Sequence, residues 1–308
     1  MTGVFTRRRA TPALAVAMLA ASVLVAAAQE QEQRLERLTG TLAKVDRSRA
    51  ITLGYREASF PFSYVGPGGA PMGYSIDLCR AIVEEIAREI DKPDIKIDYV
   101  AVTSETRIGA VVSGKVDLEC GSTTNNAERQ KQVAFSPIMF VTGTKLMVKR
   151  RSPIRSYHDL NGKVVVVTAG TTNEQVMKRL NEKFKLGANV ISARDHEESY
   201  RLVVDGKADA FATDDVLLHG LIAHHNAQRD LTVVGDYLSY DPYGIMFRKD
   251  DPQLNDAVVR TFQALAESRD LLEYYHRWFI RKTPTGERIN LPMGPQLEEV
   301  FRVLGLTD

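Results

Sequence analysis

The chain has 308 residues, with 40 lysines and arginines against 39 aspartates and glutamates, and a formal net charge of +1. A balance this close to neutrality excludes the strongly basic surface on which nucleic-acid binding or adhesion to anionic membranes depends, so no nucleic-acid partner is expected. The length allows two lobes, each with its own core. The spacing of the two cysteines, Cys79 and Cys120, matches no metal-binding motif, and neither a metal nor a cofactor is predicted.

The first 28 residues have the three parts of a secretory signal peptide. Three arginines occupy positions 7–9, an apolar run extends from Ala13 to Val25, and Ala26–Ala28 supply small residues for cleavage. The apolar run is shorter than the about 20 residues that a membrane span needs, which favours cleavage over an uncleaved anchor. Export to the periplasm with cleavage near Ala28 is therefore expected. Loss of three arginines and no acid changes the formal charge from +1 to −2.

Strands and helices alternate in the next part of the chain. Residues 29–45 are polar, and either a flexible leader or an irregular helix is expected there. Alternation of strands and helices predicts a mostly parallel sheet with helices on its faces. The predicted elements are a strand at Ile51–Arg56, a helix capped by Ser75 with the apolar stripe Leu78, Ile82, Ile86 and Ile90, a strand at Ile95–Val102, a helix at Glu105–Ser113 and a strand at Val116–Cys120.

The alternation then restarts, and an internal repeat accompanies it. The heptapeptide Val111–Asp117 recurs 92 residues later as Val203–Asp209, each copy placing a Gly-Lys turn between a helix and a strand. Two α/β lobes of related topology are predicted. The elements of the second part are strands at 144–149, 164–168, 189–193, 208–213 and 243–248 and helices at 172–184, 196–205, from about 216, 252–266 and 271–279.

Polar side chains lie at equivalent element ends in both predicted lobes. Ligands of parallel α/β sheets bind beyond the carboxyl ends of the strands, and helix N-termini attract anions. The residues at or just after predicted strand ends are Arg56, Ser122, Thr168 and Asp214, and those at predicted helix starts are Ser104 and His196. Two lobes facing each other would form a cleft with these groups on both sides.

Six segments carry a more specific pattern, and the most specific of them is Glu119–Gln130, with the sequence ECGSTTNNAERQ. The other five are Gly54–Ala58, Gly73–Asp77, Thr103–Arg107, Val167–Thr172 and Ala193–His196. Together they resemble the glutamate/aspartate-binding proteins of bacterial polar-amino-acid ABC importers, over roughly residues 45–290. These are periplasmic binding proteins of type II, in solute-binding protein family 3.

This resemblance implies an α/β fold of two lobes, each a mostly parallel sheet flanked by helices, joined by two hinge strands near 140–144 and 236–243. The expected first lobe is discontinuous, 29–142 plus 240–308, and the second lobe covers 143–239. The implied function is capture of L-glutamate or L-aspartate in the cleft and delivery to the membrane permease of an ABC transporter, as a monomer. The two cysteines of an exported chain are expected to form a disulfide, with two buried thiols as the alternative.

An amino-acid ligand needs partners for both of its α-groups. A guanidinium binds a carboxylate bidentately, and the resemblance assigns the α-carboxylate to Arg129, with Thr172 as a further donor. The α-ammonium needs an anion, for which Asp214 is the choice and Asp215 the alternative. Ser122 and Thr124 would accept the remaining ammonium protons.

An acidic ligand also brings a second carboxylate. The resemblance places Arg56, Ser104, Arg107 and His196 around it, with His196 either as an imidazolium or as a neutral donor. Taken singly, each arginine could instead pair at the surface with the acid near it in sequence, and His196 could cap a helix. Two other functions stay open. A periplasmic enzyme of the cyclohexadienyl dehydratase kind would need a general acid such as His196 or Glu57, and a ligand-sensing subunit would need a receptor. A binding protein that is not an enzyme is expected.

Overall fold

Residues 38–306 are described by the structure, a computed structural model. The predicted signal peptide, residues 1–28, lies outside the described residues. Of the polar stretch predicted over 29–45, the described part contains the start of helix α1 (Gly40–Ser48), so the helical alternative holds there. None of the helices within 38–306 is both long enough and apolar enough to span a membrane.

The first sheet has five strands, β1 (Ala50–Tyr55), β5 (Lys96–Ala101), β6 (Leu118–Glu119), β7 (Val133–Phe135) and β15 (Met246–Arg248). Their order across the sheet is β5-β1-β6-β15-β7. Strand β1 is parallel to β5 and β6, and β15 runs antiparallel to β6 and β7. All strands but β15 therefore share one direction, which confirms the mostly parallel sheet predicted from the alternation.

The apolar stripe predicted for the first long helix is completely buried, since residues four apart lie on one helix face. Its predicted cap is wrong. The helix begins at Tyr74 after Gly73, while the Ser75 hydroxyl donates to the Gly121 carbonyl at 2.8 Å. The helices around this sheet are α1, α2 (Tyr74–Glu89), α3 (Arg107–Val112), α4 (Ala127–Gln130), α8 (Pro252–Glu267), α9 (Asp270–Tyr275) with a π turn at His276–Ile280, and α10 (Pro295–Val303).

The second sheet also has five strands, β9 (Thr144–Lys149), β10 (Val164–Thr168), β11 (Asn189–Ala193), β12 (Ala210–Asp214) and β13 (Leu231–Val234). Their order is β11-β10-β12-β9-β13, and only β9 runs against the others. Around it lie α5 (Thr172–Phe184), α6 (His196–Val204), α7 (Asp215–His224) and one 3-10 turn at Tyr157–Asp159. We call the parts around the two sheets the first lobe and the second lobe.

The repeated heptapeptide has the same structural role in both lobes. Its aspartate accepts a backbone N–H from the second strand in the order of each sheet, Asp117 from Thr52 of β1 at 2.8 Å and Asp209 from Val164 of β10 at 2.9 Å. The repeat's glycine has a left-handed backbone in each copy, with φ of 73° and 74°. Strand order is also equivalent, with β1 and β10 at corresponding positions. The predicted relation between the two lobes is confirmed.

Two short antiparallel strands connect the lobes, β8 (Phe140–Thr142) and β14 (Asp241–Tyr243). The predicted continuous strand over 243–248 is wrong, because the backbone at Gly244 bonds to Thr123 and divides it into β14 and β15. A small sheet in the first lobe contains β2 (Ala58–Ser59), β3 (Ser63–Val65) and β4 (Pro71–Met72). The predicted disulfide is confirmed: Cys79 of α2 is bonded to Cys120 after β6, with a Cα–Cα distance of 6.2 Å.

Candidate functional site

The carboxyl ends of the two sheets face each other across one small cavity of about 10 Å³. The lobes touch beside it, because the hydroxyls of Thr124 and Thr172 lie 3.2 Å apart. Seven of the nine predicted site residues line this cavity, namely Ser104, Arg107, Ser122, Thr124, Thr172, His196 and Asp214. Thr171, Asn173 and Leu217 complete the lining. The predicted site residues at strand ends and helix starts therefore lie together in the structure, although they are up to 110 positions apart in sequence.

The other two predicted residues, Arg56 and Arg129, are buried in the same region. Together with Arg107 they form a cluster of guanidinium groups, with exposed fractions of 2%, 7% and 2% for Arg56, Arg129 and Arg107. Arg107 Nη1 donates to the Ser122 carbonyl at 3.0 Å, and Arg129 Nη1 donates to the Thr124 carbonyl at 2.9 Å. The alternative of solvated surface pairs is wrong for all three arginines, because they are buried.

Burial and mutual repulsion act on this cluster. Burial, followed by the nearby charge of Arg107, lowers the pKa of Arg56 to about 10 and that of Arg129 to about 9. Burial also lowers the pKa of Arg107. Concentrated positive charge in a desolvated place is stabilised by a negatively charged partner.

Several buried donors of the arginine cluster and of the serines beside it have no hydrogen-bond partner within residues 38–306. They are Arg56 Nη1, Arg107 Nε, Ser104 Oγ and Ser122 Oγ. Native proteins satisfy nearly all buried polar groups, so an unpartnered set at one place indicates a ligand site. The donors are two guanidinium nitrogens and two hydroxyls, which suit carboxylate oxygens.

The second lobe contributes a buried carboxylate. Asp214 ends β12, and its Oδ1 accepts from Asn173 Nδ2 at 2.8 Å, while its Oδ2 accepts from the Tyr243 hydroxyl. Burial, followed by the charge of Asp241, raises the pKa of Asp214 to about 8. A cation in contact with Asp214 would favour its ionised form.

The alternative acid, Asp215, points elsewhere. Its Oδ1 accepts from Thr142 Oγ1 of the connecting strand at 2.5 Å, and its other oxygen accepts from the Tyr237 hydroxyl. It does not line the cavity between the sheets. Of the two adjacent acids, only Asp214 is brought to that cavity.

His196 begins α6 and is only 2% exposed, so the alternative of a helix cap at the surface is wrong. The cap is Asp195, whose side chain accepts the Glu198 N–H at 2.8 Å. Nδ1 of His196 lies 2.8 Å from Thr168 Oγ1. Burial, then the charges of Arg56 and Arg107, hold the pKa of His196 well below its ordinary value. Burial and the nearby arginine charges therefore favour the neutral histidine over the imidazolium.

Sequence reasoning missed several polar residues of the site. Asn173 and Tyr243 orient Asp214 from α5 and β14. Glu119 and Thr123 contact each other beneath the arginine cluster, at 2.6 Å. Glu119 and Thr123 belong to the segment Glu119–Gln130, whose resemblance to the family was the sequence signal that could have identified them. No group of three or more His, Cys, Asp or Glu side chains within the described part of the chain is placed to hold a metal ion.

A family model of bacterial extracellular solute-binding proteins, family 3, matches residues 51–281. The chain belongs to this family. The matched range includes every predicted site residue and all of both sheets except Ala50, the first residue of β1. Membership confirms the resemblance and the two-lobed type II fold, and the family description places such solute-binding proteins outside the cytoplasm.

Individual relatives of this solute-binding protein are similar over nearly its whole length. The L-glutamate/L-aspartate-binding protein of Pseudomonas aeruginosa is 43% identical over 285 residues, 92% of this chain and 94% of that protein. The glutamate/aspartate import solute-binding protein of Escherichia coli is 38% identical over 292 residues, 94% of this chain and 96% of that protein. The crystal structure of an ancestral amino acid-binding protein, a precursor of cyclohexadienyl dehydratase, matches with a TM-score of 0.67 and 28% identity, covering 78% of this chain and 99% of that one.

Proposed function

We propose that this solute-binding protein captures L-glutamate or L-aspartate between its two lobes and delivers it to the permease of an ABC importer. One observation carries the proposal. Three buried arginines form a cluster, and two of them have nitrogens without a hydrogen-bond partner among residues 38–306. One of the three, Arg107, lines the same cavity as the buried carboxylate of Asp214. An acidic amino acid carries two carboxylates and one ammonium, which complement this distribution of charge.

The proposed roles divide the ligand among its three charged groups. Arg129 and Thr172 hold the α-carboxylate. Asp214 holds the α-ammonium. The remaining assignments are Ser122 and Thr124 as further acceptors for the ammonium and Arg56, Ser104, Arg107 and neutral His196 as partners of the distal carboxylate. The assignment is supported by the burial of all these residues except the half-buried Thr172. It is also supported by the atoms of Arg56, Arg107, Ser104 and Ser122 that have no hydrogen-bond partner among the described residues.

Charge on the ligand's side chain is the proposed basis of selection. Glutamine would place a neutral amide against the positive charges of Arg56 and Arg107. A buried polar or charged group left without its partner costs about 1–3 kcal/mol. That cost corresponds to a preference for the acidic ligand of about tenfold or more.

Access to the cavity requires the lobes to separate. We propose that they are residues 29–142 plus 240–308 and residues 143–239, and that they rotate about the paired strands β8 and β14. The protein would act in the periplasm as a monomer after cleavage near Ala28. The printed names of the two bacterial relatives support the transport role.

We also propose that the site binds and does not catalyse. The candidate acids for a dehydratase give little support to catalysis, because Glu57 is exposed and the pKa of His196 is lowered by burial. Incubation with prephenate is the test, since a dehydratase would release phenylpyruvate. No product is expected, and product formed at an enzymatic rate would favour the enzyme.

The ligand proposal is tested by calorimetric titration of the purified protein with each of the twenty amino acids. L-glutamate and L-aspartate are expected to bind at least about tenfold more tightly than L-glutamine and L-asparagine. Equal or tighter binding of glutamine would rule out the proposed selection by charge.

A further inference from the structure

Glu119 is a buried acid beside the arginine cluster to which the proposed ligand contacts give no role. It lies in β6, where Gly54 of β1 and Met246 of β15 are its pairing partners on the two sides. The exposed fraction of Glu119 is 0%. Pairing on both sides fixes the backbone, so the carboxylate is held inside the lobe beneath the arginines.

One carboxylate oxygen of Glu119 is held by a hydrogen bond, and the other is buried. Oε2 accepts from Thr123 Oγ1 at 2.6 Å, and the same hydroxyl accepts from Arg107 Nη1 at 2.6 Å. A Cβ at Gly121 would lie 2.3 Å from Glu119 Oε1 and 2.9 Å from Arg56 Cγ. Glycine at 121 therefore leaves room for the carboxylate beside the stem of Arg56. Glu119 is thus connected to Arg107 through the Thr123 hydroxyl and lies beside the stem of Arg56.

The charge of Glu119 acts on the whole cluster. Burial lowers the pKa of Arg56, Arg107 and Arg129, and the negative charge of Glu119 opposes that shift in each of them. Glu119 Oε1 has no hydrogen-bond partner between residues 38 and 306. A buried carboxylate without full hydrogen bonding is costly unless positive charge compensates it.

The other acids near the arginines are held by other groups. Asp214 accepts from Asn173 and from Tyr243. Asp241 accepts from Thr124 Oγ1 at 3.2 Å and from Ser239. Both belong to the side of the site that faces the hinge or the second lobe. Glu119 lies in the first lobe, as do all three arginines, and stays with them when the lobes separate.

We propose that Glu119 is a positioning residue, a fixed internal counter-ion of the three arginines that sets how strongly the site prefers a charged to a neutral ligand side chain. This inference rests on the proposed function. Glu119 neutralises part of the cluster's positive charge before any ligand arrives. The distal carboxylate of the ligand therefore meets a smaller excess of positive charge than the arginines alone would present.

Removing this charge should sharpen selection. In Glu119→Gln, the amide oxygen still accepts the Thr123 hydroxyl, and the side-chain size is kept, but the negative charge is lost. The ratio of glutamate to glutamine affinity is expected to rise about tenfold. One nearby charge shifts a pKa by about one unit or more, and one pKa unit is a factor of about ten in an equilibrium constant. Calorimetric titration of both ligands gives the ratio directly.

Glu119→Asp is the matched control, since it keeps the charge and shortens the side chain. Both affinities are expected to fall in Glu119→Asp, while their ratio stays within about twofold of wild type. A residue with only a packing role would change the ratio in neither variant. An unchanged or smaller ratio in Glu119→Gln overturns the inference.

Thermal unfolding keeps the test decisive if Glu119→Gln is unstable without ligand. Saturating L-glutamate should then raise the Tm of this variant more than it raises the wild-type Tm, and L-glutamine should not. A variant that glutamate rescues no better than glutamine contradicts the proposal. Failure of wild type to bind acidic amino acids would instead refute the proposed function, so the two failures are distinguishable.

Discussion

The two lobes have equivalent strand orders but supply different ionisable groups to the site. The first lobe supplies all three arginines, whereas the second lobe supplies Asp214 and the neutral His196. The repeat retains its scaffold aspartates, Asp117 and Asp209, in both lobes. Equivalent topology thus fixes where site residues lie and leaves their charge free to differ. In our proposal, the first lobe binds carboxylates and the second adds the ammonium partner on closure.

The largest effect is expected from the acid of the second lobe. Asp214→Asn removes the charge that the ligand's ammonium needs and keeps the side-chain size. Leaving a buried charge without its partner costs about 3–5 kcal/mol, so binding of every amino acid should weaken by about 100-fold or more. Calorimetry checks this, with the exposed Asp205→Asn as the matched control. A loss confined to acidic ligands would contradict the role of Asp214.

A smaller and more selective effect is expected in the first lobe. Arg107→Ala should weaken glutamate binding by about tenfold or more and glutamine binding by clearly less, because only glutamate has a distal carboxylate. Arg302→Ala, which removes an exposed arginine paired with Glu299, is the control and should change neither affinity. Equal losses for both ligands in Arg107→Ala would show that the two carboxylate positions are not separate.

Release of a proton from Asp214 when the ligand binds should distinguish the second lobe from the first. The pKa of Asp214 is raised to about 8 by burial and by Asp241, so its protonated form predominates at neutral pH. A bound ammonium favours the ionised form, and binding should then release protons and tighten as pH rises towards 8, by at most about tenfold per unit. Titrations in buffers of different ionisation enthalpy measure this release.

Asp214→Asn should release no proton on binding. His196 should contribute nothing above pH 6.5, since its pKa is held well below that ordinary value. Glutamate affinity that weakens from pH 6 to 8.5 would instead indicate a charged His196 in the complex.

The smallest effect on selection is expected from the disulfide, which lies wholly in the first lobe. The double variant Cys79→Ala/Cys120→Ala should lower the free energy of unfolding by about 2–5 kcal/mol. The ratio of glutamate to glutamine affinity should stay within about twofold of wild type, because neither cysteine lines the cavity. Thermal unfolding and calorimetry on the same sample test both expectations. A changed ratio would mean that the disulfide orients the arginines.

Much of the fold could be predicted from patterns in the sequence. The bounds of β9, β10, α5 and β11 agree with the prediction at both ends. These elements have strong apolar patterns and turn residues at their ends. The small strands β2–β4 and the short strands β7 and β13 were missed. Segments of two to four residues hold too little pattern, and the pairing partners of β7 and β13 are distant in sequence.

The site could be predicted in part for a similar reason. Arg56, Ser122 and Asp214 could be predicted because ligands of parallel sheets bind beyond the carboxyl ends of the strands, and those ends can be located from local patterns. Glu119 was missed because an acid inside a short buried strand gives no local signal of its charged neighbours. Tyr243 reaches Asp214 from the connecting strand, a contact that depends on how the two lobes pack. Tertiary packing decided what local patterns could not.

The division of charge between the lobes is tested most directly by a crystal structure of the complex with L-glutamate. The account predicts the distal carboxylate within hydrogen-bond distance of Arg107, the α-carboxylate on Arg129 and the α-ammonium on Asp214. A ligand bound in the reverse orientation, with its ammonium against residues of the first lobe and no contact to Asp214, would contradict it.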